Sequence, residues 1–291
     1  MKPRALLILL LALLMLVPAA GAEGFAPIPW SEDKPPYAPH KDCFLPDNAG
    51  YHDDSLDVRV ETFNRDGTNV MAVYVTIADP TQLRTGMVAS NFPSKKVAPV
   101  SALAKKYRAV LAINGDYFAY HSNGIVVRNT RQIRMEAGSG RDTLIIDENG
   151  DFTILHPTSE EAFKSFEGQV VHAFCFGPGL VIDGEPLTDL DTVSVNCGKE
   201  RKTQRIAIGQ LGPLQYLILT CEGPENTPKN TQGFDLLQMA ALCKELGCVN
   251  AYNLDGGSSS TIALNYKKIN ALSSRKIRSV GDAIYFVTLV P

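Results

Sequence analysis

Several features that assign a sequence to a functional class are absent from these 291 residues. No stretch interleaves basic with aromatic residues, and the formal net charge is −3, so nothing indicates a nucleic-acid partner. There is no Cys-x-x-Cys pair and no closely spaced pair of histidines, which excludes the common zinc-binding motifs. Beyond residue 22 no apolar run approaches the roughly 20 residues that span a bilayer. We therefore expect no transmembrane segment there.

Cysteine is sparse, with six residues in the chain. If the chain is exported, an even number is compatible with full pairing into disulfides, in any of fifteen connectivities. Cys175, Cys221 and Cys248 lie within apolar runs, so buried free thiols are the alternative. The sequence leaves both possibilities open. It requires no cofactor, and it does not determine whether a divalent metal is needed.

The first 22 residues have the composition of a secretory signal peptide: a basic start, an apolar run over 5–17 and a small-residue site that ends at Ala22. We expect cleavage near Ala22 and a secreted, extracellular protein. Residues 23–50 are rich in proline, lack periodicity and contain the sole tryptophan, Trp30. They predict an extended arm that Trp30 pins to the body by aromatic burial.

Residues 51–291 contain neither an internal repeat nor a linker, and they predict one domain. Short β-rich runs separated by turns, such as 56–63 and 70–77, predict hairpins. The clearest helix covers 236–246, where Asp235 and Gln238 have the spacing of a capping box. Many hairpins with few helices predict an α+β fold, with a mixed, hairpin-rich β-sheet and a few packed helices.

The most informative motif is the segment 253–261, Asn-Leu-Asp-Gly-Gly-Ser-Ser-Ser-Thr. The residues before it predict a short buried strand, so Asp255 would follow a strand end, where loops often carry function. Gly256 and Gly257 permit positive φ, and the N–H groups from Gly256 to Ser259 predict a nest for an anion. A hairpin turn with solvated serines, Ser258 among them, is the structural alternative.

Other strands also end in polar or glycine-rich segments. Asn114 and Asp116 follow one apolar run, Glu222 follows another, and Arg205 opens a third. If these ends converge, one pocket gains carboxylates, a guanidinium and backbone donors. Such a set suits a phosphorylated sugar, because arginine matches phosphate and carboxylates act at an anomeric carbon.

The order and spacing of these motifs resemble those of the phosphodiester glycosidase family, which has many secreted bacterial members. The resemblance covers roughly residues 55–290. It is carried by Asn-Gly-Asp-Tyr-Phe at 114–118, Gly-Ile-Val-Val-Arg at 124–128, Phe-Gly-Pro-Gly-Leu-Val-Ile-Asp-Gly at 176–184, Arg-Ile-Ala-Ile-Gly at 205–209, the helix at 235–247, the segment 253–261, and Arg-Ser-Val-Gly-Asp at 278–282.

The resemblance implies a hydrolase that cleaves the glycosidic bond of a sugar-1-phosphodiester, with a sugar phosphate or phosphoglycan as its substrate. It implies Asp255 as a catalytic carboxylate, with Glu222 or Asp116 as the second. Asn114 would bind sugar hydroxyls or orient a carboxylate. The phosphate would be held by Arg205 and by the segment of Gly256, Gly257, Ser258 and Ser259, with Arg278 as a further cation.

The chain departs from the family pattern at three positions. Ile206 stands where threonine is usual, Ser258 replaces a third glycine, and Pro224 stands in place of an arginine. The lost arginine bears on phosphate binding and turnover, and Arg205 or Arg278 would have to compensate. The alternatives are a non-catalytic extracellular module that binds phosphoglycan or polysaccharide, and a metal-dependent phosphodiesterase with clustered ligands at a divalent ion.

Overall fold

The computed structural model describes residues 24–89, 94–138, 140–194, 198–224, 231–271 and 277–291. Within these residues the chain forms eighteen strands and three α-helices. The strands are β1 (Gly50–His52), β2 (Leu56–Arg65), β3 (Thr68–Ile77), β4 (Leu83–Met87), β5 (Leu111–Asn114), β6 (Gly124–Arg128), β7 (Arg131–Glu136), β8 (Thr143–Asp147), β9 (Phe152–Leu155), β10 (Val170–Phe174), β11 (Gly179–Ile182), β12 (Glu185–Pro186), β13 (Arg205–Gly212), β14 (Gln215–Cys221), β15 (Asn250–Leu254), β16 (Ile262–Leu264), β17 (Lys267–Lys268) and β18 (Asp282–Phe286). The helices are α1 (Val100–Lys106), α2 (Glu160–Lys164) and α3 (Leu236–Glu245).

The strands are arranged in three sheets. The large sheet has eight strands in the order β1-β2-β3-β14-β13-β15-β11-β12, and the two smaller sheets have the orders β7-β6-β10-β8-β9 and β17-β16-β5-β18-β4. Every strand pairing in the described residues is antiparallel. The predicted hairpin of β2 and β3 is confirmed, with Leu56 opposite Ile77 and Arg65 opposite Thr68.

The α+β prediction is confirmed only in coarse form, because the fold is rich in sheet and has three short helices. The predicted mixed sheet is wrong. A parallel pair of strands needs a crossover connection between them. The chain makes one such connection through α3, from β14 to β15. In the large sheet, however, β13 lies between these two strands. Each strand there consequently keeps antiparallel neighbours.

One hydrophobic core lies where the inward faces of the three sheets meet, with Ile218, Phe174 and Ile284 as representatives of the three. The outward faces are covered by helices: α3 packs on the large sheet, α1 on the sheet of β5, and Phe163 of α2 on the sheet of β8. Strands buried on both faces read as continuous apolar runs, which is why several strands here lack a polar alternation.

The proline-rich arm lies against the body through two arginines. Arg84 is fully buried, and its guanidinium donates to the carbonyl oxygens of Ile28 (3.3 Å), Pro29 (3.1 Å) and Glu32 (2.8 Å). The Trp30 ring lies over that guanidinium, 5.1 Å from its carbon. Arg108 donates to the Pro35 carbonyl oxygen at 3.2 Å. Trp30 thus contacts the body, as the sequence predicts, through the Arg84 guanidinium and, edge-on, through the His172 ring.

Five cysteines fall within the described residues, and all of them are free thiols. Cys197 and the predicted signal peptide lie outside the described part of the chain. Where the chain is described, none of its helices combines the length and apolar character needed to cross a membrane.

Candidate active site

Three sheets bring their strand ends together at one place on the molecule. β15 of the large sheet ends at Leu254, directly before Asp255. β5 ends at Asn114 and pairs with β18, so that Ala283 lies opposite Asn114 and Asp282 lies beside the turn after β5. β6, in the third sheet, ends at Arg128, which reaches Asp282. The site is therefore built at a junction and not on any single loop.

Asn114 fixes the backbone that carries Asp255. Its side chain is fully buried, and its Nδ2 donates to the carbonyl oxygens of Asp255 at 2.8 Å and Gly115 at 3.1 Å. Its Oδ1 accepts from the Thr261 N–H at 3.0 Å. These bonds join the end of β5 to both ends of the Asp255 loop. Asn114 is expected either to bind sugar hydroxyls or to orient a carboxylate. Its hydrogen bonds correspond to the second role, because they hold the backbone segment that carries Asp255.

The two glycines after Asp255 serve different purposes. A Cβ on Gly256 would lie 2.7 Å from the Gln204 carbonyl oxygen, so only glycine allows this close approach of two backbones. Gly257 has a φ of +57°, and a Cβ there would meet open space. The Gly257 N–H donates to the Gln204 carbonyl oxygen at 2.8 Å, and the Ser259 N–H donates to that of Gly256 at 3.2 Å. Two of the N–H groups predicted for an anion nest are therefore engaged within the protein.

A cleft of about 420 Å³ opens beside this loop. We call it the arginine cleft, because three arginines of the described residues line it together with Asp255. Two of them, Arg201 and Arg278, are exposed. The residues that line the arginine cleft are Phe176, Gly198, Arg201, Thr203, Gln204, Arg205, Asn253, Leu254, Asp255, Gly256, Gly257, Ser258 and Arg278.

The cations of the cleft are held in different ways. Arg205 is buried, and its Nε and Nη2 donate to the carbonyl oxygens of Phe234 and Arg201, both at 2.8 Å. Arg278 is exposed, and its Nη1 donates to Ser259 Oγ at 3.4 Å. Arg205 thus combines a structural role with its place in the cleft wall, whereas Arg278 extends its charge toward solvent.

The carboxyl group of Asp255 has an unusual protonation equilibrium. Burial raises the pKa of Asp255 from 3.8 to about 6, and the negative charge of Asp116 also raises it. A hydrogen bond from Ser259 and the positive charge of Arg278 act in the opposite direction and lower the pKa. A carboxyl group poised near neutral pH within a cleft is a common feature of catalytic sites.

Behind the cleft lies a buried ion network, Asp116–Arg128–Asp282. Arg128 Nη2 donates to Asp116 Oδ1 at 2.7 Å, and Arg128 Nε donates to Asp282 Oδ2 at 2.8 Å. Asp116 also accepts from the N–H groups of Phe118 at 3.1 Å and Cys175 at 2.8 Å. With no exposed surface, Asp116 does not line the arginine cleft, and its contacts are those of a positioning residue.

Asp255 also lines a second, much smaller cavity, together with Asp282. Its volume of about 10 Å³ is near the smallest volume that holds one water molecule, so we call it the water cavity. Burial raises the pKa of Asp282, and Arg128 opposes that shift. The residues that line the water cavity are Gly115, Tyr117, Tyr120, Asp255, Ser259, Ser279, Val280, Gly281 and Asp282.

Glu222 is placed apart from Asp255. It lies in a neighbouring cavity of about 330 Å³, where Asn69 Nδ2 donates to its Oε2 at 3.1 Å and Thr231 Oγ1 donates to the same atom at 3.3 Å. Gln204 lines both this cavity and the arginine cleft. The structure therefore brings Asp255, Arg205 and Arg278 together but leaves Glu222 on the far side of Gln204.

Sequence reasoning missed three residues of this site. Arg128 and Asp282 lie within segments that carried the family resemblance, and the available signal was a charge at the end of an apolar strand: Arg128 closes β6 and Asp282 opens β18. Arg201 precedes β13 in a polar segment and had no such signal. Across the described residues, no group of three or more His, Cys, Asp or Glu side chains is arranged to hold a metal ion.

Comparison with known proteins assigns the class and then the family. The class is that of hydrolases acting on glycosidic bonds, because residues 107–287 match the family model described as phosphodiester glycosidase. This match spans more than half of the chain. The protein belongs to the phosphodiester glycosidase family.

A curated relative and two solved structures are similar to the chain. The SPbeta prophage-derived uncharacterized protein YomE of Bacillus subtilis (strain 168) is 26% identical over an alignment of 260 residues, gaps included, that covers 80% of this chain and 39% of that protein. The chain thus spans about two fifths of the relative's length. The catalytic domain of zebrafish N-acetylglucosamine-1-phosphodiester alpha-N-acetylglucosaminidase, auto-inhibited by its pro-peptide, superposes with a TM-score of 0.65 at 18% identity over 92% of this chain and 99% of that one. A hypothetical protein from Synechocystis has a TM-score of 0.55 at 16% identity, over 81% of this chain and 62% of that one.

Proposed function

We propose that this protein is an exported glycosidase that hydrolyses the glycosidic bond of sugar-1-phosphodiesters in a phosphate-containing glycan. The observation that carries the proposal is the position of Asp255. It lines the arginine cleft on one side and the water cavity on the other, and its pKa lies near 6. A carboxylate, a cationic phosphate site and a seat for water thus meet at one residue.

The phosphodiester group would occupy the arginine cleft. Arg278 and Arg201 are exposed there and offer planar guanidinium groups, which match phosphate oxygens by paired hydrogen bonds. Arg205 adds a buried positive charge to the wall. These cations replace, in our proposal, the family arginine whose position Pro224 takes.

In the reaction, the ionised Asp255 acts as general base on a water molecule held in the water cavity. The water oxygen forms a bond to the anomeric carbon as the bond from that carbon to the phosphate oxygen breaks. The bonding electrons leave with the phosphate oxygen, and Asp255 takes the water proton. The products are a free sugar with inverted anomeric configuration and a phosphomonoester. The arginines stabilise the charge that develops on the leaving phosphate.

The proposal is tested by incubating the purified protein with UDP-N-acetylglucosamine and with a sugar-1-phosphate methyl ester, and following the products by NMR. We expect free sugar, first in the inverted form, together with UDP from the first substrate and methyl phosphate from the second. Asp255→Asn should lower the rate by about 10²- to 10⁴-fold, the usual contribution of a general base. Asp54→Asn, at an exposed position, is the matched control. Release of inorganic phosphate or of a sugar phosphate would instead identify cleavage at phosphorus.

One observation supports a second candidate, a non-catalytic module that binds phosphoglycan. Among the described residues that line the arginine cleft, Asp255 is the single carboxylate. Asp282 lies behind it in an ion pair with Arg128, and Glu222 lies in the neighbouring cavity. Binding of both substrates without any turnover, in wild type and Asp255→Asn alike, would favour this module over the enzyme.

A further inference from the structure

Two tyrosines at the rim of the water cavity have an exposure that the fold does not explain. Tyr117 is 37% and Tyr120 is 45% exposed, and they are the only aromatic side chains among the large hydrophobic residues exposed in the described chain. Their rings are stacked, with centroids 4.4 Å apart and an angle of 15° between the planes. We call them the tyrosine pair. Leaving two aromatic rings in water forgoes the free energy that their burial would provide.

The tyrosine pair is held rigidly in this position. Tyr117 has a left-handed backbone, with a φ of +64°, a conformation that is unfavourable for a residue other than glycine. The chain continues into a short turn, in which the Tyr120 N–H donates to the Tyr117 carbonyl oxygen at 3.1 Å. Asp116, itself paired with Arg128, accepts from the N–H of Phe118 at 3.1 Å. The buried ion network therefore anchors the segment that presents the two rings.

The rings extend from the water cavity toward the arginine cleft. The His121 ring lies edge-on to Tyr117 with a centroid distance of 5.7 Å, and 6.4 Å from Phe176, which lines the arginine cleft. Burial and the charges of Arg141 and Arg134 lower the pKa of His121, so its ring is neutral at neutral pH. Asp255 thus has exposed aromatic rings beside it in the water cavity and exposed arginines beside it in the arginine cleft.

We infer that the tyrosine pair is a sugar-stacking subsite that sets the direction in which the substrate binds. A pyranose ring presents an apolar C–H face, and packing that face on an aromatic ring removes apolar surface of both from water. The sugar ring lies on the tyrosine pair, the phosphate lies among the arginines, and the bond between them lies over Asp255. The substrate is accordingly recognised through a sugar ring as well as its phosphate. This inference rests on the proposed function, because it places the scissile bond at Asp255.

The inference is tested by comparing two probes that share the phosphate group. One is the methyl phosphodiester of N-acetylglucosamine 1-phosphate, and the other is inorganic phosphate. Dissociation constants are measured by NMR titration for the Asp255→Asn protein, in which turnover is slow, and for the same protein carrying Tyr120→Ala or Tyr120→Phe. Tyr117→Ala and Tyr117→Phe form a second pair. Val249→Ala, an exposed apolar position at the opposite end of β15, is the control for loss of surface area.

We expect Tyr120→Ala to weaken binding of the sugar probe by about tenfold, which is about 1.4 kcal/mol, and to leave inorganic phosphate unaffected. Tyr120→Phe keeps the ring and should stay within about twofold of the parent. Arg278→Ala should weaken both probes. Unchanged binding of the sugar probe in both alanine variants would overturn the subsite. An equal loss of both probes on Tyr120→Ala would overturn the direction of binding.

The outcome is separable from that of the proposed function. If the wild-type protein binds the sugar probe but never hydrolyses it, the glycosidase proposal fails and the titrations still decide on the tyrosine pair. If the protein binds neither probe, the subsite is overturned as well. Far-UV circular dichroism and thermal unfolding of each variant establish that a loss of binding is not a loss of fold.

Discussion

Asp255 is the residue whose surroundings decide what the site can do. Burial disfavours its charged form, and Arg278 and Ser259 favour it. The balance leaves its pKa near 6, so the carboxylate is mostly ionised at neutral pH yet basic enough to accept a proton. An exposed aspartate would be a weaker base, because its pKa would lie near 3.8.

The pH dependence of hydrolysis follows from this balance. Because Asp255 acts as a base in our proposal, kcat/KM should rise with pH through a limb near pH 6. Replacing Arg278 with alanine removes a cation that lowers the pKa of Asp255, so the limb should move to higher pH, whereas Arg278→Lys should leave it nearly in place. The measurement is a pH profile of kcat/KM for the three proteins. A rate that falls through the same pH range would assign Asp255 the role of an acid.

The ionised carboxylate of Asp255 also lowers the free energy of unfolding of the protein. Its pKa in the folded protein is raised, so folding disfavours the charged form, and stability is lost as pH rises from about 3.8 to about 6. Asp255→Asn should therefore raise the free energy of unfolding by roughly 1–2 kcal/mol at pH 7.5, after allowance for partial solvent contact. The gain should vanish near pH 4. Thermal or urea unfolding at both pH values checks it, and a variant less stable than wild type at pH 7.5 would contradict it.

At the level of elements, the segment after β15 is held by two neighbours. Asn114 holds it from the end of β5, and the backbone of Gln204 holds it through Gly256 and Gly257. A catalytic carboxylate must keep its position to within a fraction of an ångström, and strands that end at a common point provide such rigidity. The position of Asp255 is thus a property of three connected segments.

Gly256→Ala tests this dependence. Its Cβ would lie 2.7 Å from the Gln204 carbonyl oxygen, so the Asp255 segment must shift away from β13. We expect kcat/KM to fall by about 10²-fold, since a displacement of this order has that effect on reacting groups. The matched control is Gly212→Ala, where a Cβ would meet no atom within 4 Å. Equal activity of the two variants would show that the segment tolerates displacement.

Some elements could be predicted from local sequence and others could not. The capping box of Asp235 and Gln238 is present at the start of α3, because its hydrogen bonds join residues three apart. The antiparallel order of the large sheet was not predictable, because it depends on which strand enters between β14 and β15. Local patterns specify an element, whereas its neighbours are selected by packing across the whole core.

At the scale of the whole molecule, the arm is part of the folded structure through Arg84. The buried guanidinium has no carboxylate among its hydrogen-bond partners in the described chain; its Nη1 and Nη2 donate to four carbonyl oxygens, three of them in the arm, and its Nε has no partner there. A buried charge is tolerated only when such partners are present. Removal of the Arg84 guanidinium, or of the arm that carries three of the carbonyl oxygens, would leave buried polar groups without partners.

Trp30 provides a specific probe of this attachment, because it is the only tryptophan in the sequence. Arg84→Ala should shift the fluorescence of Trp30 to longer wavelength, as the ring loses its packing, and should lower the free energy of unfolding by about 3 kcal/mol. Arg108→Ala, which removes hydrogen bonds to Pro35 and Pro36 nearer the surface, should have a smaller effect on both. Emission spectra and urea unfolding make the comparison. An unshifted spectrum in Arg84→Ala would show that Trp30 is held by other contacts.

The sequence by itself determined the hairpins, the capped helix and the family, and it named Asp255, Arg205 and Arg278 as candidates, because these features are encoded in short motifs and in the order of those motifs along the chain. Only the tertiary structure decided which candidates meet. In it, Glu222 lies in a neighbouring cavity, Asp116 forms an ion pair with Arg128, and Asp282 and the tyrosine pair lie beside Asp255. The reason is physical: the site lies where three sheets pack around one core, and contacts between distant strand ends leave no local pattern in the sequence.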